Sequence, residues 1–171
     1  QKINMVPMYI ALGFSQGIMP LIGYNYASKN TDRMKKTVTF SAKLSVIFIT
    51  SMSVLYFIFA PSLTTMFIKN ADVVAYGTRF LRGLCLGLPF LCIDFLGVGV
   101  FQSCGLGKNA LAFAILRKIV LEIPALVILN KLFPLYGLAY AQFAAEIILA
   151  TAAIIVLARL FKKLEKENEK I

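Results

Sequence analysis

The chain contains no histidine, no tryptophan and three cysteines, and only 15% of its 171 residues are charged. Each shortage excludes something. Without histidine there is no Ser-His-Asp or Cys-His arrangement for acyl transfer. There is no phosphate-binding glycine loop and no metal-ligand cluster either, so an enzyme is the weakest reading. Cys85, Cys92 and Cys104 are odd in number, lack metal-type spacing and lie in apolar stretches. They read as reduced, buried thiols rather than a disulfide framework or a zinc site. A soluble domain carries about 25% charged residues and about 45–50% apolar ones. Here 59% are hydrophobic, with a mean hydropathy of +0.78. That balance excludes disorder, collagen-like repeats and a coiled coil. It points to an all-α, polytopic transmembrane bundle.

Apolar runs separated by polar breaks predict five spans, at about residues 5–27, 38–60, 78–104, 110–130 and 135–160. Each is long enough, at about 1.5 Å per residue, to cross roughly 30 Å of hydrocarbon. Each must be helical, because no water is present to satisfy its backbone. The mildly amphipathic stretch 62–77 reads as a short interfacial helix. Residues 161–171 read as a solvated tail, and the whole of 1–171 as one bundle. The sequence opens on Gln1 and enters an apolar helix directly. We expect a segment of a longer chain whose earlier helices precede it.

The basic residues set the orientation. Lys29, Arg33, Lys35, Lys36, Lys43, Lys108, Arg117, Lys118, Arg159, Lys162, Lys163, Lys166 and Lys170 group on one side, 13 of the 18 cations. Lys2, Lys69, Arg79, Arg82 and Lys131 fall on the other. The excess of positive charge belongs in the cytoplasm, which puts the C-terminus inside a multi-pass plasma-membrane protein. The net charge of +10 then has a topological cause, and the partner it meets is the lipid bilayer. A nucleic-acid partner would need a basic face on a soluble domain with stacking aromatics, which is absent. Arg79 and Arg82 are placed to snorkel to the outer headgroups.

Three of the eight acidic residues are out of place for a loop. Counted back from the basic ends of their helices, Asp94, Glu122 and Glu146 lie roughly 16, 21 and 20 Å deep. A carboxylate at that depth costs about 2.5–3.5 kcal/mol on insertion scales, and such residues face a bundle interior or a cavity and serve protons or cations. Gly83, Gly87, Phe90, Asp94, Gly97 and Phe101 share one helical stripe, and Ala139, Gln142, Glu146, Ala150 and Ala153 share another. The Gly83-x-x-x-Gly87 spacing permits close helix approach. Pro20, Pro89 and Pro124 free the carbonyls of Gln16, Cys85 and Val120. Freed carbonyls at membrane depth can coordinate cations, and the kinks can act as hinges. Asp94, Glu146 and Glu122 are thus the candidate coupling-ion or proton residues, and Gln16, Phe90 and Gln142 the candidate pathway residues. The other reading of every one is structural: a neutral carboxyl or an amide gluing helices together, and glycines and prolines present for packing alone.

The run Gly13-Phe14-Ser15-Gln16-Gly17-Ile18-Met19-Pro20-Leu21-Ile22-Gly23-Tyr24-Asn25-Tyr26-Ala27-Ser28-Lys29-Asn30 resembles the eighth-helix motif of multidrug and toxic compound extrusion (MATE) transporters. Ala27-Ser28 stands where Gly-Ala is usual. Phe101-Gln102-Ser103-Cys104-Gly105 resembles the end of the tenth helix. Leu116-Arg117-Lys118 with Ile123-Pro124 resembles the eleventh, and Tyr136-Gly137-Leu138 with Ala145-Glu146 the twelfth. The resemblance implies helices eight to twelve of a twelve-helix transporter, most of one six-helix lobe. It implies export of amphipathic organic cations in exchange for inward sodium or protons, with no other cofactor. It also implies that the missing N-terminal helices of the same chain complete the pathway. Asp94 stands at the place of the tenth-helix acid that helps bind the cation in sodium-coupled members. Those members tend to have Tyr one turn earlier, where this sequence has Phe90. Two alternatives stand beside this one: a flippase of lipid-linked precursors with the same architecture, and a non-transporting membrane scaffold. The flippase would favour a basic groove in the cavity, and the sequence shows no cation at the midplane.

Overall fold

The computed structural model describes residues 2–66, 70–132 and 137–168. They form α1 (Lys2–Ala27), α2 (Thr31–Ile58), α3 (Ala60–Thr65), α4 (Ala71–Ser103), α5 (Gly107–Ile115), a π-helical segment (Leu116–Glu122), α6 (Ile123–Leu132) and α7 (Gly137–Asn168). No strand occurs among the described residues. Lys69, Tyr136 and Lys170, named above, lie outside them.

The turns explain why the helices run back and forth. α1 ends where Lys29 adopts φ +54°, and the Asn30 amide reaches back to the Asn25 carbonyl at 2.9 Å. This left-handed residue closes the helix and satisfies a terminal carbonyl. Asn30 then caps α2, its side chain accepting from the Arg33 amide at 3.1 Å, with Asp32 complementing the helix dipole in the first turn. The hairpin therefore needs only three connecting residues. Asn70 caps α4 in the same way, accepting from Asp72 and Val73. At its far end Gly105, at φ +71°, lets the Leu106 amide reach the Phe101 carbonyl at 2.8 Å. A side chain at that φ would be strained.

α4 is the hub, packing against α1, α2 and α7. Two-thirds of its most apolar stretch is buried, against a third or less for α1, α2 and α7. Those three keep broad apolar faces, with Phe40, Ile47 and Ile58 on α2 and Ile148 and Ile154 on α7 exposed. Such faces suit lipid or further helices. One core lies at the end carrying Phe101, Met34 and Phe161. A second is built around Leu88, Leu91 and Ile49.

Among the described residues, four helices are each long and apolar enough to cross a membrane: Met5–Ala27, Thr31–Ile58, Ala71–Ser103 and Ala139–Glu167. The predicted fourth span falls on α5, the π segment and α6, which follow one another without a break over 107–132. The predicted interfacial helix is shorter and earlier than expected, since α3 ends at Thr65 and α4 begins at Ala71. Pro61 lies in the first turn of α3, where its missing N–H is no loss. The predicted tail is no separate element, as α7 continues to Asn168. Lys35 of α2 pairs with Glu165 of α7 at 2.9 Å, so the first basic turn and the end of α7 share one end of the bundle. At the other end Arg82 is tied to α2. Its guanidinium lies 5.0 Å from the Phe57 ring centre, and its Nε donates to the Phe57 carbonyl at the end of α2 at 3.2 Å.

Candidate functional site

The site begins with glycines. A Cβ on Gly83 would meet Ala139, and one on Gly97 would meet Ala153, each at 3.0 Å. Gly87 faces the Phe143 backbone and the Glu146 side chain. The small-residue stripes of α4 and α7 therefore form one seam, and only small residues allow helices so close. The seam brings Asp94 of α4 and Glu146 of α7 into one buried pocket, 1% and 2% exposed.

Between them reaches a residue that sequence reasoning assigned to the basic loops. Arg117 donates through Nη1 to Asp94 Oδ2 at 3.1 Å and through Nη2 to Glu146 Oε1 at 2.7 Å. Its guanidinium carbon lies 4.7 Å from the ring centre of Phe95, an added cation–π attraction. The planar fork suits this task, since each arm takes one carboxylate. Arg117 lies in the first turn of the π segment, which ends two residues before Pro124. The proline ring cannot donate to the preceding turn and clashes with its carbonyl. A widened turn there alters the direction of the side chains it carries. A half-buried cation thus reaches the two acids inside the bundle, where the sequence reading placed none. Depth counting would have found it: Arg117 is nine residues past Lys108, roughly 14 Å along the helix before its long side chain is added.

The three charges do not balance. Two carboxylates against one guanidinium leave a formal charge of −1. Asp94 Oδ1, Glu146 Oε2 and Arg117 Nε are buried without a hydrogen-bond partner. Uncompensated charge in a low-dielectric interior costs several kcal/mol per ion on the order of magnitude. Beside the site lies a cavity of about 390 Å³, lined by Asp94, Arg117, Phe95 and Phe113 with Met8 of α1. Glu122, on the π segment, is half-buried and close enough to act electrostatically on Glu146.

The other candidates are dispersed. Gln16 is exposed on α1 and does not join the acids. Phe90 packs edge-on against Phe143, ring centres 5.9 Å apart, one turn from Asp94. Gln142 is half-buried on α7. Pro20 and Pro124 are exposed and Pro89 half-buried. The carbonyl that Pro89 frees, on Cys85, is not left open for a cation. Ser53 of α2 donates its hydroxyl to it at 2.5 Å. A second serine, Ser15 of α1, donates to the Phe95 carbonyl at 2.6 Å, so hydroxyls from both neighbouring helices pin the α4 backbone around Asp94.

A family model described as MatE matches residues 1–128. The chain belongs to the MatE family. This MatE chain is 33% identical over 164 residues to a multidrug export protein MepA of Staphylococcus haemolyticus, covering 95% of the chain and 36% of that relative. It is 31% identical over 171 residues to MepA of Staphylococcus aureus, covering 99% and 37%. It thus spans little more than a third of these relatives. Among solved structures, an inward-facing multidrug resistance MATE transporter superposes with a TM-score of 0.91 at 18% identity, over 96% of this chain and 39% of that one. The bent form of the Vibrio cholerae MATE transporter VcmN gives 0.88 at 19% identity, over 95% and 37%. At such identities the likeness is one of fold. The matched relatives are exporters and transporters rather than enzymes, and the apolar helices make this a multi-pass membrane chain.

Proposed function

We propose that the chain forms part of a secondary active exporter that exchanges amphipathic organic cations for inward sodium or protons. The observation supporting this is the buried, unbalanced group of Asp94, Glu146 and Arg117. It carries one negative charge too many at membrane depth, a condition that uptake of a proton or monovalent cation relieves. Neutralisation changes how strongly α4, α7 and the π segment attract one another. Alternating access needs two states close in energy, biased by the bound ion. Glu122 tunes the charge on Glu146, and the prolines serve as hinges. The partners are the bilayer, the exported cations and the remaining helices of the same chain. The basic turn and the end of α7 lie in the cytoplasm.

The guanidinium does not favour the flippase, because both its arms are taken by carboxylates and the net charge of the trio is negative. A scaffold would tolerate neutral substitutions at all three acids. The test is drug efflux by the full-length transporter carrying Asp94→Asn in cells and in proteoliposomes. Loss of ion-driven efflux with the protein still in the membrane is expected. Efflux with unchanged ion dependence would remove Asp94 from the mechanism.

A further inference from the structure

We infer that Arg117 is a resident cation that holds the site one charge short of neutral, so that a single monovalent positive charge, and not two, completes each cycle. This rests on the coupling role proposed above for Asp94 and adds the residue that sets its charge count. The argument begins with what surrounds the acids. Among the described residues, α4 contributes Asp94, α7 Glu146 and the π segment Arg117, a trio joined by two ion pairs with a formal charge of −1; Glu122, half-buried on the π segment, is not one of the trio and acts on Glu146 only through space. α1 brings Met8 and Ser15, which are uncharged.

Without Arg117, Asp94 and Glu146 would be two like charges in one pocket, and both would need neutralising before the helices could repack. With it, one oxygen of each acid is already satisfied, at 3.1 and 2.7 Å, and one oxygen of each is buried and unpartnered. Those two oxygens are where an incoming proton binds or a small cation is held. Because the guanidinium is permanently charged and tethered, it competes with the incoming ion for both acids and keeps affinity low enough for release. Phe95 holds it in place from one face.

The experiment uses the full-length transporter in proteoliposomes, with substrate transport measured against pH in sodium-free buffer and against sodium at fixed pH. These two arms identify which monovalent charge is used. Arg117→Gln is expected to lower the half-saturating concentration of the driving ion by roughly tenfold or more, since a positive charge in contact with both acids has been removed. It should also raise the slope of the ion dependence from about one to about two. Arg117→Gln combined with Glu146→Gln restores a formal charge of −1, so the double variant should return to a slope of about one. Asp94→Asn separates this inference from the reading beneath it. If Asp94→Asn leaves coupling unchanged, the coupling role itself fails. If Asp94→Asn uncouples transport while Arg117→Gln keeps the wild-type ion dependence, the coupling role survives and the resident-cation inference is overturned. Should Arg117→Gln not reach the membrane, the double variant decides. Its insertion with a slope of about one supports the inference, and its failure to insert shows that Arg117 serves packing instead and overturns it.

Discussion

Gly99 offers a quantitative test of how α1 is fixed to the hub. A Cβ built there would run into the Ser15 hydroxyl, with the Ser15 carbonyl at 3.4 Å and its Cβ at 3.6 Å. The same hydroxyl donates to the Phe95 carbonyl at 2.6 Å. Ser15→Ala alone loses that bond, about 0.5–1.5 kcal/mol, with membrane cycles nearer 0.6. Gly99→Ala alone gains up to about 1 kcal/mol of helix propensity. It must also displace the hydroxyl or part the helices, an overpacking cost of about 1–3 kcal/mol. We expect it to destabilise by about 1–2 kcal/mol, adding the lost bond to that balance. In the double variant the clashing oxygen is gone and only ordinary contacts remain. It should be no less stable than Ser15→Ala, giving a favourable coupling of about 1–2 kcal/mol. The assay is equilibrium unfolding of the full-length transporter in mixed SDS micelles. Additivity within about 0.5 kcal/mol would refute the contact between α1 and α4 as described.

Ser53→Ala should destabilise by about 1–3 kcal/mol, because the Cys85 carbonyl freed by Pro89 then has no donor; unfolding in the same micelles checks it, and Ser53→Thr should rescue most of the loss. Cys85, Cys92 and Cys104 are 1%, 2% and 5% exposed, so a maleimide should leave all three unmodified by mass spectrometry in the folded protein and modify them in SDS. Rapid labelling of any of them in the folded state would mean that α4 is more open than described.

Much of the site was legible because membrane depth punishes charge so heavily that position alone marks an acid. Asp94 and Glu146 stood out by counting residues from the helix ends, and the glycine and alanine stripes correctly named the two faces that meet. Family motifs around Gln16 and Pro20 led to the right family, although Gln16 itself lies on an exposed face. Arg117 was missed because cations near a basic loop were read as topology signals, and a 3.6-residue period gives no warning of a π turn. The fourth span is continuous, and its π-helical middle was concealed for the same reason. Hydropathy averages over a window, whereas Pro124 acts on one carbonyl. Likewise, proline chemistry identified the freed Cys85 carbonyl, but only packing reveals that Ser53, 32 residues away in sequence, supplies its donor. Discounting Arg117 leaves 12 of the 17 remaining cations on the basic side, so the orientation argument keeps its sign.

The most direct measurement is infrared difference spectroscopy of the reconstituted full-length transporter, recorded between the ion-free state and the state loaded with the driving ion. A carboxyl-stretch change should appear for protonation, or a carboxylate-stretch change for sodium, and either should vanish or shift in both Asp94→Asn and Glu146→Gln. A spectrum identical in wild type and both variants would mean that these buried acids do not change state when the ion binds.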